Sequence, residues 1–385
     1  MRKVYAGRIN LSKILEKRRL ALQFLRELTK EKGQFTVNDL IDRMNLPRST
    51  VQDWISRLLV EKSIQVVAEA SGRKPAQYRY TRTAMISPCK KIITTADLSN
   101  NLVEIYHKCQ SVGAQNYCAS EYMKDGLVYE SDITGLFLRQ RARIGEKTID
   151  FSKKESPSIG VERIEIIDDK FVLQTIKSKI GGAAIAVTKT LDKARGCLHM
   201  EVEENNNYVI GKLRTKLLFH YTVGVDDTDD EQHEAATWEV SMRLMNALSK
   251  ELKVEAIAHK IVRLYPNITH KTGGNSACFI EVGVMPENVA EFKEYCVKFL
   301  EEETDSNETA IAFMEGLVVP EKLKVFSRKA RQGEVTIEEA KQVAGELGVD
   351  LISVTGEWGM IGALASIGFL YASRDELLDV TKEIQ

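Results

Sequence analysis

At 385 residues, 43% of them apolar and 28% charged, the chain has the composition of a globular protein too long for one ordinary core, so two or three domains are expected. No apolar run approaches the roughly 20 residues of a membrane span. The opening MRKVYAGRINLSKILEKRR lacks the apolar stretch of a secretory signal, and the six cysteines show no CxxC pairing, which argues for a reducing cytoplasm and against a membrane protein or a zinc ribbon.

The net charge of −1 hides an asymmetry: residues 1–83 carry +10 and the remainder −11, the pattern of a polyanion-binding module on a differently employed body. A small domain can also carry such an excess by chance. Within the basic part, RRLALQFLRELTKEKG (18–33) sets Leu20, Phe24, Leu25 and Leu28 on one helical face and ends on Gly33, a C-cap. TVNDLIDRM (36–44) predicts a second, short helix with Thr36 as N-cap. RSTVQDWISRLLVEK (48–62) predicts a third, with Val51, Trp54, Ile55, Leu58 and Leu59 as its buried stripe. SIQVVAEASGRKPAQYRYTR alternates on both sides of a glycine turn and predicts a hairpin. This order resembles the winged helix-turn-helix domains of prokaryotic regulators. The resemblance implies double-stranded DNA as partner, with helix 48–62 in the major groove and Arg48, Ser49, Thr50, Gln52 and Asp53 near base edges or phosphates. Arg73 and Lys74 of the wing would grip the backbone or minor groove. RNA binding and protein docking are the other uses of such a module.

From 84 to 215 the chemistry is less explicit. ITTADLSNNLVEIYHKCQSVGA predicts an N-capped helix, and LVYESDITGLFLRQRARIG and VERIEIIDDKFVLQTIKS predict strands with polar turns. RQRAR (139–143) is either a solvated face or a phosphate contact. IGGAAIAVTKT (180–190) lacks the spacing of a dinucleotide loop, and close packing explains its glycines as well as phosphate binding does.

A sharper signal follows at YTVGVDDTDDEQHEAATW (221–238). Phe219, Tyr221, Val223 and Val225 alternate as a half-buried strand, and Trp238, Met242, Met245, Leu248 and Leu252 repeat at helical spacing. Between them Asp226, Asp227, Asp229, Asp230 and Glu231 crowd one turn. Like charges so placed repel unless a divalent cation, often carrying a phosphate, is present. The alternative is an acidic turn in which Asp227 or Asp229 merely caps the helix. Further on, RLYPNITHKTGGN (263–275) ends in a loop whose Lys271, Thr272, Gly273, Gly274 and Asn275 can cradle phosphates, though surface loops are often rich in these residues. TGEWGMIGALASIGF (355–369) brings Gly356, Gly359 and Gly362 to the start of a helix, for ligand approach or for close packing. His233 and His259 are candidate bases, although a lone histidine is more often structural.

GVDDTD, RLYPNITHKTGGN and GEWGMIGALASIG, in that order, resemble the archaeal 2-agmatinylcytidine synthetase family, which uses ATP to attach agmatine to an anticodon cytidine of an isoleucine tRNA. Uncharacterised proteins of methanogen-type archaea also carry GVDDTD followed by ATW. The resemblance spans residues 217–371 and implies a magnesium–ATP site built from Asp226, Asp227 and Asp229 as metal ligands and catalytic acids. It further implies Lys271, Thr272, Gly274, Asn275, Gly359 and Gly362 around the nucleotide. Three departures stand out. Ala235-Ala236-Thr237 replaces the family's Cys-Thr-Thr, so the first hydroxyl, associated with phosphotransfer, is missing. Gly273 stands where the family has Arg, and the chain reaches Gln385 without the Cys pair of the family's tRNA-holding zinc ribbon.

The expected architecture is α+β and multidomain: a winged helix over 1–83, an α+β segment over 84–215, and a nucleotide-binding domain over 216–385 with mixed or antiparallel sheets covered by helices. Two functions are expected from it. One is ATP-dependent activation of a group on an unidentified acceptor. The other is a DNA-binding transcriptional regulator whose second domain senses a nucleotide or metabolite. Expected partners are double-stranded DNA, with RNA as the second nucleic acid, a nucleotide, and a second copy of the chain.

Overall fold

The computed structural model describes residues 2–81, 87–134, 137–153, 155–181, 184–205, 207–229, 236–268 and 274–381. The chain forms two compact units, Met1–Ile86 and Ser87–Gln385.

Unit 1 contains α1 (Arg2–Lys32), α2 (Val37–Met44), α3 (Arg48–Val60) and the antiparallel pair β1 (Ile64–Ala68) and β2 (Gln77–Tyr80). Its core is Leu25, Leu28, Phe35, Leu40, Val51, Ile55, Leu58 and Ile64, the apolar stripes of the three helices closed by the first strand. Thr36 and Asp39 form a reciprocal capping box on α2, and Asn45 in a left-handed conformation ends it. The first helix begins far before the expected Arg18, because the charged segment before it has no amphipathic stripe to announce a helix.

Unit 2 is α+β, as expected. It begins with β3 (Cys89–Asp97), β4 (Leu102–Cys109), α4 (Val112–Tyr122), β5 (Val128–Thr134), β6 (Phe137–Arg143), β7 (Gly145–Glu146), β8 (Ile159–Ile167), β9 (Phe171–Lys179) and α5 (Ile185–Thr190). It continues with β10 (His199–Glu204), β11 (Tyr208–Lys216), β12 (Leu218–Asp226), α6 (Thr237–Glu251), β13 (Glu255–Arg263), β14 (Ser276–Val284) and α7 (Val289–Glu303). It closes with β15 (Ala310–Glu315), α8 (Glu321–Gln332), α9 (Ile337–Leu347), β16 (Asp350–Ser353), α10 (Gly359–Ile367) and α11 (Arg374–Leu378). The helix expected over 93–114 is corrected to the β3–β4 hairpin, with α4 beginning only at Val112. Its Asp97-Leu-Ser-Asn cluster is the hairpin turn, in which the Asp97 carboxylate accepts from the Ser99 hydroxyl, the Asn100 amide N–H and the Asn100 side chain.

The strands form a five-stranded antiparallel sheet ordered β10-β11-β9-β8-β7 and a nine-stranded sheet. The latter runs β13-β14-β12-β3-β4-β6-β5, with β15 also paired to β12 and β16 to β15, so strands on both sides of residue 215 share it. Every neighbour in it is antiparallel except β12 and β3, which run parallel over two residue pairs. β12 sits centrally, and its alternation sorts its side chains. Tyr221, Val223 and Val225 pack with Val240, Leu244 and Leu248 of α6 and Phe292, Cys296 and Leu300 of α7. Thr222, Gly224 and Asp226 face the other way, toward α10. Among the described residues, no helix is long and apolar enough to cross a membrane.

Candidate functional site

The site is built on the end of β12. A Cβ at Gly224 would lie 2.0 Å from the Ala363 carbonyl oxygen, and one at Gly362 only 1.7 Å from Asp226 Oδ2. Gly359 is also confined: its Cβ would meet the Glu308 carbonyl at 2.7 Å and that of Asp226 at 2.8 Å. Bare backbone on both elements lets the N-terminal turn of α10 lie directly on the carboxylate that ends the strand. Glu308 secures that helix start, its carboxylate accepting from the Glu357 and Trp358 amides at 3.1 and 3.2 Å and its carbonyl from the Gly359 amide at 2.9 Å.

The turn after Asp226 is held by threonines. Asp227 has φ +60°, the left-handed conformation that Asp tolerates better than most residues, and its carbonyl accepts from the Thr309 hydroxyl at 2.7 Å. The Thr228 carbonyl accepts from the Thr304 hydroxyl at 3.0 Å and the Asp305 amide at 3.1 Å. The Thr237 hydroxyl, at the start of α6, donates to Asp229 Oδ1 at 3.0 Å. Ala236 is the N-cap of α6 and offers no side-chain bond, so the helix-cap reading of Asp227 or Asp229 is replaced by a tertiary brace in which the helix holds the acid. Burial, together with the neighbouring charges of Asp227 and Asp229, drives the Asp226 carboxyl well above the ordinary carboxylate range.

Asp226 and Asp227 open into a cleft of about 570 Å³, within the size range of small-molecule sites. Its walls include Leu264, Ile268, Asn275, Val335, Thr336 and Trp358. Asn275 reaches the cleft with its side chain donating to the Tyr265 carbonyl at 2.8 Å, which closes the base of the 265–275 loop. Gly362 also lines the cleft, while a Cβ on Gly274 would meet nothing, so no close approach requires a glycine there. Lys271, Thr272, Gly273, Asp230, Glu231 and His233 lie outside the described residues. Among the described residues no three acidic, histidine or cysteine side chains converge as a metal-holding group, and Asp229 is engaged by Thr237 instead. Magnesium binds through one or two carboxylates completed by water and phosphate oxygens, a set that Asp226 and Asp227 fit. His259 is half-buried on β13, its Nε2 2.9 Å from the Ser241 hydroxyl, and burial lowers its pKa; it does not line the cleft. Sequence reasoning misses the braces Thr304 and Thr309 and the helix anchor Glu308, which sit far along the chain and follow no spacing.

In unit 1, Arg48, Ser49 and Gln52 are exposed on the first turns of α3 and Thr50 is half-buried. Arg73 and Lys74 are exposed in the β1–β2 turn, which Ser71 and Lys74 close with paired backbone bonds of 3.1 and 3.0 Å.

Residues 222–288 match the family model described as the TiaS TCKD domain. An uncharacterised Methanocaldococcus jannaschii protein is 28% identical over 283 residues, 72% of this chain and 93% of that protein. The Pyrococcus horikoshii isoleucine-tRNA 2-agmatinylcytidine synthetase TiaS is 36% identical over 157 residues, 40% of this chain and 36% of the synthetase. A crystal structure of TiaS in complex with its isoleucine tRNA and ATP matches at 28% identity over 39% of this chain and 36% of that one, with a TM-score of 0.35. The chain thus spans about a third of the length of the synthetase relatives it matches. The nucleic acid named for these relatives is tRNA, which overturns double-stranded DNA as the expected partner. That expectation rested on basic charge and helix shape, and charge serves any phosphate backbone without telling DNA from RNA. The transcriptional-regulator alternative loses its support with it. In its 222–288 region the chain resembles the core of the isoleucine-tRNA agmatinylcytidine synthetases.

Proposed function

We propose that unit 2 is a cytoplasmic Mg-ATP-dependent enzyme that activates a group on RNA, and that unit 1 is a winged-helix module that holds the RNA. The observation that carries this reading is the acid turn at the end of β12, seated against the N-terminus of α10 and opening on the cleft. It falls inside the segment that matches the TiaS TCKD domain.

On this reading Asp226 and Asp227 hold Mg²⁺, which supplies charge neutralisation at the phosphates. Gly359 and Gly362, whose bare backbone brings α10 close to the acid turn, lie beside the nucleotide, and Lys271, Thr272, Gly274 and Asn275 serve its phosphates. Asp229, braced by Thr237, orients the acceptor group. RNA follows from the tRNA named for the relatives. The deep, narrow major groove of A-form RNA does not admit a reading helix, so Arg48, Ser49, Thr50, Gln52, Arg73 and Lys74 act on phosphates and single-stranded segments. Incubating the full chain with Mg-ATP and total tRNA tests the reading. RNA-stimulated release of ADP or AMP, lost in Asp226→Asn, is expected, and nucleotide turnover that ignores both RNA and Asp226 contradicts it.

A further inference from the structure

The chain has three tryptophans, and the two in unit 2 are both exposed and bracket the same acid turn. Trp358 is 41% exposed, precedes α10 and lines the cleft. Trp238 is 50% exposed and directly follows Thr237, the residue that holds Asp229, but it does not line the cleft. Trp358 is thus part of the cleft wall, and Trp238 stands outside it beside the Thr237–Asp229 bond. Trp238 is also firmly mounted. It sits in the first turn of α6, where the Ser241 hydroxyl donates back to the Thr237 carbonyl at 2.8 Å and lies 2.9 Å from His259 Nε2. No aromatic side chain among the described residues stacks on its ring. A large apolar ring left in water on a fixed backbone forgoes the stabilisation that burial would give it.

We infer that Trp238 is the stacking platform for the acceptor base: an unstacked RNA nucleobase lies on its indole, beside Thr237 and Asp229. The inference rests on the RNA-acting, Mg-ATP-dependent reading above. It specifies the acceptor as a single-stranded or flipped-out nucleotide, because only an unpaired base presents a free face to an indole. Asp229 and Thr237, the latter one residue away from the platform, are then the groups nearest the acceptor, while Asp226 and Asp227 serve the cleft side.

The test uses the full chain, with Trp238→Ala, Trp238→Phe and Val325→Ala. A fluorescein-labelled single-stranded RNA dodecamer of mixed sequence is titrated by anisotropy at fixed salt, and Mg-ATP is titrated separately by calorimetry. Trp238→Ala should weaken RNA binding about 5- to 150-fold, the effect of losing one stacked base. Trp238→Phe should recover most of it, and Val325→Ala, an exposed apolar residue of α8 outside the cleft, should leave RNA affinity near that of the wild type. RNA affinity unchanged in Trp238→Ala, or no RNA binding by the wild type, overturns the inference; if Mg-ATP still binds, the nucleotide site stands without it. Failure of the wild type to bind Mg-ATP instead removes the reading on which the inference rests.

Discussion

Asp226 is the residue on which the electrostatics of the site turn. Burial and the charges of Asp227 and Asp229 raise its folded pKa, so ionisation costs more in the folded than in the unfolded chain. Stability is then fullest below the unfolded aspartate value of about 4 and falls as pH rises toward the folded value. Asp226→Asn should raise the melting temperature of the metal-free protein at about pH 8, where the unfolded carboxyl is fully ionised. The gain should fade toward about pH 4 and shrink when Mg²⁺ is added, as scanning fluorimetry can follow; a gain independent of pH would contradict this. The crowding of five acids after an alternating strand is legible in the sequence. What is not legible is which acids face the cleft: that depends on Gly362 clearing the space for one carboxylate and on Thr237 engaging another.

At the scale of elements, the site depends on how closely α10 lies on β12. Gly224→Ala would drive a methyl into the Ala363 carbonyl, so the helix must move. Overpacking of this kind costs about 1–3 kcal/mol, and the variant should lose nucleotide binding along with that stability in a denaturant titration. Next to it the sheet carries a buried charge network: Arg139 reaches Glu281 at 2.5 Å, Arg141 reaches Glu104 at 2.6 Å, and Lys260 lies 3.5 Å from Glu281. Burial works upward on the Glu281 carboxyl, but Arg139, Lys260 and His220 outweigh it and hold its pKa below the ordinary value. Arg139→Ala would leave two buried acids poorly paired and should cost about 3–5 kcal/mol in urea unfolding; a loss under about 1 kcal/mol would show that the remaining cations suffice. The elements themselves are unevenly legible. The helical repeat of Trp238, Met242, Met245, Leu248 and Leu252 matches α6 closely because that period is clean. The 93–114 segment misleads because Asp, Ser and Asn serve equally as helix caps and as hairpin turns, and only strand pairing decides between them. In unit 1 the β1–β2 turn offers a matching test. Arg73→Ala with Lys74→Ala should weaken binding to all RNA sequences alike and lower the salt slope by roughly 0.7 for each phosphate no longer neutralised.

For the molecule as a whole, the sequence carries the α+β class, the basic first unit and the ordered motifs of the second. It does not carry the sheet that joins strands from both sides of residue 215, since such pairing is nonlocal. It misdirects the choice of nucleic acid because charge alone cannot make that choice. The departures from the synthetase pattern also act at this scale. Ala236 has no hydroxyl at the start of α6, and Gly273 supplies no cation. With the matching isoleucine tRNA, ATP and agmatine, mass spectrometry of the digested tRNA should therefore show no agmatinylcytidine, and its appearance would make the chain a synthetase in spite of both changes. The central claim is that the acid turn and cleft hold a magnesium nucleotide. Calorimetric titration of ATP into the full chain tests it most directly. Binding should require Mg²⁺ and be weakened at least about tenfold, some 1.4 kcal/mol, by Asp227→Asn, a substitution suited to the left-handed backbone at that position. Folded protein that takes up no ATP with Mg²⁺ present, or binds it equally well without Asp227, would contradict it.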